Sequence, residues 1–220
     1  MKMINSNSRK LSLSGWLKEN GSAAYYSPLK LQKFLFFYEA FSKVDGDNTD
    51  FSHLRGYERG PVFSTVWGDY THDRHEFDKA VQKANHNSQE SVNLERAKRS
   101  QFLVSILSEK ELSGLTHQLN IWKTKEQRIM RGEKQVELSE EDFNESDKRL
   151  VKLLEMMYPT SLIEHSHIVG IDNHFFIFSI EDSKRLTEQH FDTLSALCDN
   201  CQLNNPVYVE LDKEGRLIVD

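Results

Sequence analysis

The chain has 220 residues, of which 38% are hydrophobic and 28% charged, and a formal net charge of −6. This is an ordinary globular composition with enough length for a sizeable core. No apolar run approaches the roughly 20 residues that span a bilayer, the first ten residues lack the apolar centre of a signal peptide, and the acidic balance gives no general attraction for phosphate backbones. The expectation is a cytoplasmic protein with neither membrane nor nucleic acid as partner.

A first helix is predicted over residues 11–19, ending toward Asn20 and Gly21. Ser27 then caps a second, whose first position is Pro28, where the missing N–H of proline costs nothing. Leu31, Phe34, Leu35 and Tyr38 follow at i, i+3, i+4 and i+7, and Phe36, Phe37 and Phe41 load the neighbouring face. A helix apolar on most of its circumference belongs inside the domain. Lys30 and Lys33 lie a turn apart beside it, so their stems can cover core while their charges meet solvent, an internal carboxylate or a partner. Residues 42–50 read as a polar loop. Its aspartates do not make an EF-hand, because Asp50 and Gly56 stand where that loop needs Gly and Glu.

Residues 51–57 form a short extended run that ends in a Gly60-Pro61 break. Val62, Phe63, Val66, Trp67 and Tyr70 then recur at helical spacing, which reads as strand, turn, helix. Residues 71–93 are polar and read as a short helix and a loop, and residues 94–107 resume helical spacing through Phe102, Leu103 and Ile106. Ser108 and Glu111 have capping-box spacing with Leu107 and Leu112 placed as a staple, so a helix starts near Glu109. Residues 123–135 are highly charged and read as a mobile connector. The last long helix begins near Ser139, with a Leu138–Phe143 staple, buries Leu150, Leu153, Leu154 and Met157, and ends at Pro159.

The tail changes character. Residues 168–171 and 175–180 flank Asp172-Asn173, a hairpin turn of residues that tolerate positive φ. Thr187 caps a helix stapled by Leu186 and Phe191; Val207, Val209 and Leu211 alternate as a strand, and residues 213–215 turn into 217–219. The fold class expected is α+β: a helix-rich main domain with a short β element over residues 1–158, and a ββαββ-like appendage over 159–220. Such an appendage is marginal alone and should pack on the main domain or on another copy. Four bases against eleven acids leave the tail near −7 and the rest near +1, so an acidic docking face would sit in the tail.

Candidates for chemistry are few. Cys198 and Cys201 form a CxxC at the end of a helix, where the dipole opposes a thiolate, and they extend the apolar stripe of Phe191, Leu194 and Leu197, which favours packing over redox work. The pairs His72/His75 and His165/His167 have metal-compatible spacing without a third ligand. No nucleotide loop, acyl-transfer triad or paired carboxylate is present, so neither catalysis nor a cofactor is expected.

Three segments, Lys30 to Tyr38 (KLQKFLFFY), Gly60 to Val62 (GPV) and Glu111 to His117 (ELSGLTH) with Trp122 behind it, together resemble the Panacea domain, a family of antitoxins and phage-associated proteins, over roughly residues 10–158. Before GPV the family usually carries an aromatic and basic approach, where this chain has Gly56, Tyr57, Glu58 and Arg59. The resemblance implies a non-catalytic antitoxin that binds a separately encoded toxin, with delivery of the toxin to a protease as a known variation. It singles out Lys30, Gln32 and Lys33 on the helix, Arg59, Gly60, Pro61 and Val62 at the turn, and Thr116, His117 and Trp122. Here His117 either satisfies buried backbone groups with Thr116 or touches a partner. Two readings from other classes stay open. A nucleic-acid-binding regulator would rely on residues 79–83 and 96–99, and a metal-dependent enzyme on the scattered histidines.

Overall fold

The computed structural model describes residues 4–88, 92–200 and 202–220; Cys201 of the CxxC lies outside them. The main body comprises α1 (Ser8–Asn20), α2 (Ser22–Tyr26), α3 (Pro28–Asp45), a hairpin of β1 (Leu54–Tyr57) and β2 (Gly60–Phe63), α4 (Ser64–His72), α5 (Arg74–Ser88), α6 (Leu94–Ser105), α7 (Glu109–His117), α8 (Asn120–Lys123), α9 (Glu126–Met130), β3 (Val136–Glu137) and α10 (Glu145–Met157). The tail follows as α11 (Thr160–His165), β4 (Ser166–Ile171), β5 (His174–Ser179), α12 (Ile180–Ser183), α13 (Glu188–Asn200), β6 (Val207–Leu211) and β7 (Leu217–Val219). The class is α+β, with a helix-rich body and a C-terminal β element.

The body is built around α3. Ser27 accepts the Lys30 amide, Pro28 occupies the first turn, and Gly46 ends the helix at φ 75°. Leu31, Phe34, Leu35, Phe36, Phe37 and Phe41 are all buried, because α1, α6, α10 and β2 enclose the helix on different sides. Enclosure on every side also buries Gln32, Lys33 and Glu39. Polar groups survive such burial only when paired. Glu39 accepts both ends of an Arg9 fork, Lys10 Nζ and the Asp50 amide, which fastens α1 to α3. Gln32 and Lys33 reach instead to the hairpin.

Several expectations from the sequence are corrected by the structure, beginning with residues 71–93, where the 15-residue α5 stands in place of a short helix and a loop. Val62 and Phe63 belong to β2, the second strand of a hairpin, and helix α4 starts only at Ser64. Residues 123–135 hold the last residue of α8 and all of α9 rather than a mobile connector, with Ile129 buried under β1 so closely that a Cβ on Gly56 would stand 2.4 Å from it. Ser139 caps only a 3-10 turn at Glu140–Asp142; Asn144 is the cap of α10, accepting the Ser146 and Asp147 amides. On α10, Leu154 is buried, whereas Leu153 and Met157 stand 50% and 52% exposed, because the body covers the Val151–Leu154 side of the helix and leaves theirs to solvent. His165 ends α11 while His167 lies on β4, so the two share no strand face. Phe191 is exposed, so the stripe on α13 is anchored by Leu194, with Cys198 half-buried beside it.

Among the described residues two sheets form, one of order β2-β1-β3 and one of order β4-β5-β6-β7. In the second, Asp172 sits at φ 53° in the two-residue turn between β4 and β5, and α13 carries the chain over to a parallel pairing of β5 with β6. One face of this sheet packs Phe176, Phe178, Val207 and Val209 on Leu194 of α13. The opposite face gives Ile177 to the main core, where Leu162 and Ile163 of α11 also pack. Asn205 donates to Glu111 at 2.9 Å, and Lys30 Nζ lies 4.6 Å from the Phe175 ring centre. The fragment 1–158 is expected to keep a cooperative melt through its own core but to melt below the full chain, since truncation uncovers this seam. Circular-dichroism melts of both chains check it, and equal midpoints would show that the seam contributes nothing.

Candidate functional site: a clamped turn beside an apolar cleft

The hairpin register pairs Leu54 with Phe63, Arg55 with Val62, Gly56 with Pro61 and Tyr57 with Gly60. That leaves Glu58 and Arg59 as a two-residue loop. β2 is an edge strand, and its outward side is closed by two devices. Pro61 has no N–H to leave open, and the Phe63 amide donates to Gln32 Oε1 at 2.8 Å.

Two turn residues, one on either side of Glu58, are held through their backbone carbonyls by side chains from distant segments. Trp122 Nε1 donates to the Tyr57 carbonyl at 3.0 Å and Lys33 Nζ donates to the Arg59 carbonyl at 2.6 Å, while among the described residues the buried His117 Nε2 beside them has no hydrogen-bond partner. Lys33 also donates to Thr116 Oγ1 at 3.0 Å, and Thr116 donates in turn to the carbonyl of Leu112 or Ser113. The His117 ring stacks on Trp122 at 3.8 Å between centroids, 14° from parallel. Gly60 makes this possible. Its φ is 102°, and a Cβ there would lie 2.2 Å from Lys33 Nζ and 2.4 Å from Thr116 Oγ1.

The electrostatics follow from burial. Lys33 is 1% exposed and meets a carbonyl and a hydroxyl rather than the solvent, carboxylate or partner expected for it; burial without a countercharge pulls its pKa down to about 7. The His117 pKa is lowered as well, first by burial and then by the neighbouring Lys33. Lys30 is lowered by burial against the tail.

Beside the turn lies a cleft of about 420 Å³ between the start of α3, the hairpin, α4 and the start of α7. Leu29, Pro61, Val62 and Trp67 give it apolar walls, Lys33 lies along it, and Arg59 and Glu109 stand at the mouth 3.7 Å apart. Arg59 is 75% and Trp67 37% exposed. The structure therefore gathers Gln32, Lys33, Gly60, Pro61, Thr116, His117 and Trp122 into one scaffold with Arg59 and Val62 at its surface, while Lys30 turns away to Phe175. Sequence reasoning missed Leu29 and Glu109 as site residues and read Trp67 only as part of an apolar repeat. The available signal was local: Glu109 opens the capped helix, and Ser27, the cap of α3, donates to it at 2.8 Å.

The arginines and most of the lysines proposed for nucleic acid are already engaged. Arg96 is buried on Asp45 and Asp47, Arg99 pairs with Glu155, Lys98 with Glu164 and Lys79 with Glu76. Among the described residues no group of three His, Cys, Asp or Glu side chains could hold a metal ion, and no helix is long and apolar enough to cross a membrane. The Cys198 thiol is pushed up by burial and by Asp172 and Asp199, the opposite of an activated thiolate. No family model, no curated protein and no solved structure matches this chain.

Proposed function

We propose that the chain is a non-catalytic binding protein, an antitoxin that neutralises a separately encoded toxin by direct contact and docks it on the rim around Arg59. The observation that supports this reading is the backbone clamp on Tyr57 and Arg59. A turn fixed in this way presents its side chains already ordered, which lowers the entropic cost of docking. The apolar cleft next to it offers a pocket for a buried anchor, with the half-exposed Trp67 as the kind of residue on which binding energy concentrates.

The segments that resemble the Panacea domain supply the clamp, and the stretch where this chain departs from that pattern supplies the displayed rim. Partner choice then resides in Glu58 and Arg59, which accords with a family whose toxins are structurally varied. Cytoplasmic location and carriage by a phage or mobile element belong to the same reading.

The test is co-expression with a small toxic reading frame adjoining this one. The wild-type chain is expected to restore growth and to co-purify with the toxin. Arg59→Glu reverses an exposed charge and is expected to weaken binding about tenfold, roughly 1.4 kcal/mol, while the melting temperature hardly moves. A variant that binds like wild type removes this turn from the interface.

A further inference from the structure

Lys33 is a buried amine whose hydrogen bonds suit its neutral form. A neutral amine has two N–H groups and one lone pair. The Arg59 carbonyl at 2.6 Å and Thr116 Oγ1 at 3.0 Å take two hydrogens, and the hydroxyl proton of Thr116 is directed to α7 carbonyls, so its oxygen is free to accept. Among the described residues Lys33 has neither a third acceptor nor an ion pair for the additional proton of an ammonium group. Lys33 is also one of the residues that line the apolar cleft, with 1% of its surface exposed, and the Leu29, Pro61, Val62 and Trp67 walls admit an organic molecule of modest size.

We propose that Lys33 is a covalent capture site for apolar aldehydes, which enter the cleft and condense with its amine. The Nζ lone pair attacks the carbonyl carbon, the nitrogen loses its two protons, and the carbonyl oxygen leaves with them as water, so amine and aldehyde give imine and water with no oxidant or reductant. An uncharged lysine in an apolar pocket is the activated form for this reaction, whereas surface lysines are almost wholly protonated at neutral pH. Burial with a pKa near 7 acts in the same direction. This activity needs no toxin and stands apart from the antitoxin reading.

The test uses the full-length folded chain with benzaldehyde and sodium cyanoborohydride, which reduces any imine to a stable benzyl adduct, at pH 7.5. Peptide mass spectrometry then gives the rate at every lysine. Lys33 is expected to be labelled at least about tenfold faster than the median exposed lysine, the advantage expected of an amine with a much larger neutral fraction. Its advantage should vanish in guanidinium chloride, and glyoxylate, which is small and charged, should not reproduce it. A folded chain in which Lys33 stays unlabelled, or reacts no faster than exposed lysines, overturns the proposal, as does an advantage that persists after unfolding.

Discussion

Gly60→Ala is expected to destabilise the protein by about 3 kcal/mol, the sum of a left-handed backbone cost of about 1–2 kcal/mol and an overpacking cost of about 1–3 kcal/mol. The first arises from φ 102°, the second from a methyl group placed 2.2 Å from Lys33 Nζ and 2.4 Å from Thr116 Oγ1. Neither neighbour can retreat without breaking its bond to the other or to the turn. Gly46→Ala separates the two terms, because Gly46 has φ 75° but nothing within 4 Å of an added Cβ. It should cost only about 1 kcal/mol. Urea unfolding of both variants is the measurement, and equal losses would mean that the space around Lys33 yields.

The stability of the chain is expected to rise with pH above neutrality, and Lys33 should account for much of the rise. Its folded pKa is about 7 against an ordinary 10.5. Between those values the unfolded chain binds a proton that the folded chain does not, so stability increases with pH across that window, by up to about 1.4 kcal/mol per pH unit. Below it both states are protonated and the contribution stays at its least favourable value. Lys10 and Lys30 are lowered in the same direction, so the readout is the difference between wild type and Lys33→Met rather than the slope of either. His117 adds a separate rise on the acid side, since its lowered pKa makes protonation unfavourable to the fold. Tyr158, pushed up to about 12, and Tyr208 reverse the trend once unfolded tyrosines ionise, so urea midpoints should be compared between pH 7 and 9.5. Parallel curves for the two proteins would show that Lys33 keeps its proton in the fold.

Features set by neighbours in sequence were legible in the chain. Ser27 with Pro28, the Ser108–Glu111 capping box and the Asp172-Asn173 turn all depend on residues within four positions of each other, and the structure contains each of them. Features set by tertiary pairing were not legible. Val62 and Phe63 keep helical spacing with Val66, and only their pairing with Leu54 and Arg55 makes them a strand. Leu153 and Met157 have apolar side chains on a periodic helix, yet nothing local states that the body covers the adjacent side of α10. The site divides in the same way: the motif residues could be singled out one by one, but that Lys33, Thr116 and the turn form one network depends on contacts spanning 26 and 83 positions.

Those long spans mean that the rim is a product of completed folding. Loops of that length must close before their contacts contribute, so the turn acquires its shape only after α3, α7 and α8 have assembled. A nascent or partly unfolded chain carries the same Glu58 and Arg59 without the surface they form in the native molecule. A protein that reads this rim therefore discriminates finished copies from unfinished ones, and its hold on the chain is coupled to the stability of the whole body.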